Sequence, residues 1–139
     1  MFHSYCSDRS KSNKQKEAPK EAEKLLKEMI DLNAKGDLKE GPSKIVYSTV
    51  INCWAKSDLP ESPQRARDIL KSMIHHYQNG IEEVRPNTIT YNSVLDAYAR
   101  QGHTNGATEI LKMMEDDFDA GNIDAIVDLR TYNILIDTW

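Results

Sequence analysis

A chain of 139 residues, 39% hydrophobic and 29% charged, is ordinarily one domain and suits a soluble, amphipathic α-helical protein. Its net charge of -4 and pI near 5.5 exclude a grip on nucleic acid by bulk positive field, while leaving local patches open. No apolar run approaches the roughly 18 residues of a membrane span, and Cys6 and Cys53 lack metal-ligand or redox spacing, reading as a loose thiol and a small helix-packing residue.

Residues 1–19 are polar, with Ser4, Ser7, Ser10, Ser12, Lys11, Lys14 and Lys16 outweighing Phe2, Tyr5, Cys6 and Ala18. They hold no apolar core for a secretory signal, and Asp8 and Glu17 interrupt the basic character of a transit peptide. A solvated tail is expected there. From residue 20 onward one pattern recurs. Ala22 to Met29, Ala66 to Met73 and Ala107 to Met114 each read Ala-x-x-(Leu/Ile)-Leu-Lys-x-Met, and each Met precedes a Tyr (Tyr47, Tyr91, Tyr132) by 18 residues. A period of 41 to 44 residues marks a helical repeat array.

The Tyr segments carry one stripe each. Tyr47-Val50-Ile51-Trp54, Tyr91-Val94-Leu95-Tyr98 and Tyr132-Leu135-Ile136-Trp139 fall at i, i+3, i+4, i+7, the apolar face of a helix. Trp54 and Trp139 on that stripe are expected to pack. The Ala-to-Met segments form a second helix, in which the small Ala permits close approach. The unit is therefore an αα-hairpin, helix A with Tyr and helix B with Met, and the fold class is an all-α solenoid. Ser43, Asn87 and Asp128 stand where N-caps belong, and Gly102 follows an A helix as a C-cap does. The expected division is a partial repeat over 20–42, full repeats over 43–86 and 87–127, and a partial repeat over 128–139. Tyr5-Cys6 reads as the tail of a preceding A helix. Such a chain looks cut from a longer array, and self-association through its exposed end repeats is expected.

The stretches Arg85-Pro86-Asn87-Thr88-Ile89-Thr90-Tyr91-Asn92-Ser93-Val94-Leu95 and Asp128-Leu129-Arg130-Thr131-Tyr132-Asn133-Ile134-Leu135-Ile136 resemble the pentatricopeptide repeat family, whose helix A reads Pro-Asp-x-x-Thr-Tyr-Asn-x-Leu-Ile. The Ala-to-Met segments resemble that family's helix B. The tetratricopeptide signature Trp-Leu-Gly…Tyr is missing. Two departures stand out: the linkers from helix B to the next helix A are about six residues longer than is usual in the family, and Val127 replaces Pro.

The resemblance implies a right-handed superhelix that binds single-stranded RNA, one nucleotide per repeat, along the face lined by A helices. It implies base reading by the residue after the helix A Tyr together with the residue closing the repeat. These are Ser48 with Asn87, and Asn92 with Asp128; Asn133 opens a further pair. By the family's rule the first pair favours A and the second U. Ile45, Ile89 and Arg130 take the base-wedging position, and Lys56 and Arg100 the place of a phosphate-binding basic residue. Each has a plainer reading. Ser43, Asn87 and Asp128 serve as N-caps, Lys56 and Arg100 offset helix dipoles, and Ile45 and Ile89 lie at the core edge. His75-His76 and the cluster Glu115, Asp116, Asp117, Asp119 read as solvated helix ends.

No nucleophile–base pair, phosphate loop or metal cluster is legible, so no enzyme, cofactor or metal is expected. The family implies a role in RNA processing, stability or translation in a mitochondrion or plastid. The alternative is a protein-binding scaffold of tetratricopeptide type, which the acidic net charge favours.

Overall fold

The computed structural model describes the backbone of residues 9–139 and the side chains from Lys16 onward; Tyr5 and Cys6 lie outside them. Six helices follow in order: α1 (Arg9–Lys35), α2 (Lys44–Ser57), α3 (Ser62–Gln78), α4 (Thr88–Arg100), α5 (Thr104–Asp119) and α6 (Leu129–Thr138). No strand occurs among the described residues. Helix α2 packs on α3 and α4 on α5, giving the two hairpins, while the A helices α2, α4 and α6 stand side by side. The array is the all-α hairpin solenoid that the repeat predicts.

The core follows the stripes. Tyr47, Val50, Ile51 and Trp54 are buried, as are Tyr91, Val94, Leu95 and Tyr98 one repeat later. Opposite them lie Ala66, Ile69, Leu70 and Met73 of α3, and Ala107, Ile110 and Met114 of α5. Burying one such Leu or Ile side chain contributes about 1.5–3 kcal/mol. The caps are where the sequence puts them. The side chains of Ser43, Asn87 and Asp128 accept from the backbone N–H of Val46, Thr90 and Thr131, and Gly102 takes a left-handed φ of 65° just past α4.

Helix α1 begins at Arg9, inside the stretch read as a solvated tail, where Lys16, Glu17 and Ala18 are exposed; Lys, Gln, Glu and Ala are good helix formers whether or not they pack. Two expectations are corrected. Trp139 is 84% exposed, and Tyr132 and Ile136 of the same stripe are exposed too. That stripe packs only where a B helix lies alongside it; α6 instead meets α4, and buries Thr131, Ile134 and Thr138. Asn92, whose base-reading role implies an open edge, is 3% exposed. Its side of α4 is covered by the neighbouring A helix, a second packing direction that a single stripe does not reveal.

The long linkers are ordered. Glu82–Val84 and Ile123–Ala125 each form one 3-10 turn, and each turn buries its last residue, Val84 or Ala125. Asn122 closes the second linker. Buried itself, it donates from Nδ2 to the Pro86 carbonyl (2.8 Å) and to Asp117 Oδ2 (2.9 Å), and accepts from the Asp124 N–H (3.1 Å). The extra residues thus stitch one repeat to the next.

Side chains repeat the stitching at the repeat period. Arg65 pairs with Glu23, Arg67 with Glu109 and Arg100 with Asp58, every pair 42 residues apart. Gly106 marks one tight place: a methyl added there would lie 2.2 Å from two Tyr98 ring carbons. Gly106→Ala gains about 1 kcal/mol of helix propensity but overpacks at a cost of about 1–3 kcal/mol. A net loss of up to about 2 kcal/mol is expected in urea unfolding, reversing sign in a Tyr98→Leu background; a gain in the native background would contradict this packing.

Candidate nucleic-acid interface

The A helices present their N-terminal halves along one edge of the array. Ile45 is 76% exposed and Ile89 73%, at the same register two residues before their tyrosines, and Arg130 is exposed at the third copy. Neither isoleucine is a core-edge residue. Two large apolar side chains held in water at equivalent positions form a row open to flat ligands. Ser48 is half-buried and its hydroxyl makes no hydrogen bond among the described residues; Asn133 is exposed.

The second polar pair is brought together. Asn92 Nδ2 donates to Asp128 Oδ1 at 3.4 Å, while the Thr131 hydroxyl donates to Asn92 Oδ1 at 2.7 Å. An ionised carboxylate only accepts, so the amide of Asn92 must turn its NH2 toward Asp128. Asp128 Oδ1 also accepts from the Thr131 backbone N–H at 3.0 Å. That bond, with help from the Thr131 hydroxyl and the Asn92 amide, holds its carboxyl below the usual carboxylate value and so ionised at neutral pH. Oδ2 makes no hydrogen bond among the described residues. The first pair is looser: no hydrogen bond joins Ser48 and Asn87, and Asn87 uses Oδ1 in its cap while its NH2 stays unbonded among the described residues.

The two basic candidates differ. Lys56 is exposed and makes no ion pair among the described residues. Arg100 donates to Asp58 at 2.8 Å and lies 3.4 Å from Asp96, so a phosphate there would compete with two carboxylates.

Two groups read as solvated are not. The Tyr47 hydroxyl meets His76 Nδ1 at 2.7 Å, and the Tyr91 hydroxyl donates to Asp117 Oδ2 at 2.7 Å. His76 and Asp117 occupy one register, three residues after Met73 and Met114, so the helix A tyrosine reaches the end of its own helix B in both hairpins. That constant register was the available signal. Burial raises both phenols above their ordinary value, the Asp117 carboxylate adding to the effect at Tyr91 while a Ser72 hydrogen bond opposes it at Tyr47. Among the described residues no group of three or more His, Cys, Asp or Glu is placed to hold a metal, and no helix is long and apolar enough to cross a membrane.

The family model described as PPR repeat, for pentatricopeptide, matches residues 82–115. That window begins at the 3-10 turn Glu82–Val84 and runs through α4 to the end of the Ala-to-Met segment of α5. Residues 82–115 are thus a pentatricopeptide repeat. The other hairpin repeats the matched unit in pattern and packing, and the flanking helices α1 and α6 repeat it in pattern. No curated protein and no solved structure matches the chain. Pentatricopeptide proteins are helical repeat proteins, and they typically bind RNA.

Proposed function

We propose that this pentatricopeptide array binds single-stranded RNA, one base per repeat, with Ser48 and Asn87 favouring A and Asn92 and Asp128 favouring U. The observation that carries the reading is the joined pair Asn92 and Asp128, whose 3.4 Å contact fixes which way the amide points. Ile45 and Ile89 wedge bases by apolar contact, Arg130 stacks or meets phosphate, and Lys56 is the free phosphate contact; Arg100 serves only by leaving Asp58 and Asp96. Because Asn92 is buried, a strand reaches its edge as α4 and α6 part, and meets Asp128 Oδ2 first. The family's members are commonly organellar, so the setting is RNA processing, stability or translation in a mitochondrion or plastid. Among the described residues no side-chain constellation supports a catalytic step, and none enters this reading.

One observation favours a second reading, a protein-binding scaffold: Arg100, one of two phosphate cations, is already paired. In that reading the bare stripe Tyr132-Ile136-Trp139 of α6 takes a further helix, including one from a second copy.

The pair is tested by exchange. With residues 43–128 grafted into a stable pentatricopeptide array of known register, Asn92→Ser with Asp128→Asn is expected to turn a U preference into an A preference by about tenfold, or ~1.4 kcal/mol. An unchanged preference in a folded, binding array would favour the scaffold.

A further inference from the structure

We infer that the cavity beneath Gly41, where α1, α2 and α3 meet the two linkers, receives an arginine side chain of a protein partner. It measures about 530 Å3 and is walled by Ile30 of α1, Tyr47 of α2, His76 of α3, and by Glu40, Glu83 and Val84 of the linkers. One repeat later the chain itself shows what such a place holds. There Arg85, the counterpart of Gly41, lies 5.8 Å from the Tyr77 ring centroid, donates to Glu82 at 2.8 Å and reaches Asp124 at 3.5 Å. Asn122 fills the remainder through the Pro86 carbonyl and Asp117.

In the first repeat both fillers are gone. Gly41 has no side chain, and Ile81 replaces Asn122 and is 39% exposed. One acceptor is kept, Glu83 standing where Asp124 stands; Leu38 and Asn33 replace Glu82 and Tyr77, and Glu40 brings a second carboxylate where the next repeat has Val84. Neither Glu40 nor Glu83 makes an ion pair among the described residues, nor does Lys39, the basic residue of the lining. The site therefore has the carboxylates of an arginine pocket without the guanidinium. A planar five-donor fork matches two carboxylates better than a lysine ammonium, and Ile30 and Val84 suit its methylene stem. Two carboxylates repel phosphate, which sets nucleic acid aside, and the cationic group we assign to the site is an arginine of a protein segment. This goes beyond the RNA reading and does not depend on it.

The test is an NMR titration of the whole 139-residue chain with a capped Gly-Arg-Gly peptide, and with the citrulline analogue of the same shape and no charge. Saturable shifts at the amides of Gly41, Ser43, Ile81 and Val84 are expected with arginine, at least about tenfold weaker with citrulline. Glu83→Gln, an exposed change, should weaken the arginine peptide by about tenfold. Gly41→Arg supplies the guanidinium from within and should abolish binding. Gly41 is outside the left-handed region, and its new Cβ would lie 3.1 Å from the Asn33 amide oxygen, so that side chain, whose NH2 donates to the Leu38 carbonyl, must give by a few tenths of an ångström. Absence of saturable shifts, equal shifts from both peptides, or binding indifferent to Glu83→Gln in a chain whose other resonances are unmoved would overturn the assignment.

Discussion

Asn122→Ala is expected to remove about 3–5 kcal/mol from the unfolding free energy, the largest loss from any single polar side chain here. The residue is 1% exposed and makes three hydrogen bonds, one of them to a carboxylate. A net hydrogen bond is worth about 1 kcal/mol, one to a charged group about 1.5–3, and a buried partner left unmatched adds its own desolvation. Truncation strands the Pro86 carbonyl and the Asp124 N–H and leaves Asp117 with the Tyr91 hydroxyl alone. Urea unfolding should show a lower midpoint with an unchanged slope. A loss below about 1 kcal/mol would mean that the linker is not the stitch between repeats.

Glu23→Ala is expected to cost about 2–3 kcal/mol and to loosen α1 first. Glu23 is 4% exposed, accepts from Trp54 Nε1 at 2.9 Å and from Arg65 Nε at 3.1 Å, and pairs with Lys27 at 3.1 Å. Breaking a buried pair usually costs about 3–5 kcal/mol. The Arg65 side chain is 40% exposed and regains water, which lowers the figure. Among the described helices α1 packs mainly on α2, and Glu23 is its tie to Arg65 of α3. Amide exchange across residues 19–35 should quicken while α4 stays protected. Unchanged exchange in α1 would show the ion pair to be ornamental.

What was legible followed from local periods. The i, i+3, i+4, i+7 stripe put Tyr47 and Tyr91 in the core, and the N-cap residues Ser43, Asn87 and Asp128 cap as their chemistry requires. Packing between repeats was not legible. Asn92 is buried because α6 lies beside α4, a contact with no signature inside either helix. Asn122 differs from Ile81 at a linker position that has no period, so its role appeared only with the fold. The exposure of Ile45 and Ile89 separated two readings that the sequence left open. Trp139 failed for a related reason: a stripe reports which face is apolar, and a neighbouring helix decides whether that face is covered.

The central claim is that the two complete repeats read bases. It is tested most directly by selection from a random single-stranded RNA pool, using residues 43–128 carried in a pentatricopeptide array of known register. The surrounding repeats supply affinity that two stacked bases at ~1–3 kcal/mol each do not. The account predicts A followed by U at the two grafted positions. An array that folds and binds yet shows no preference at those positions would contradict it, leaving Asn87 and Asp128 as helix caps and the scaffold reading in its place.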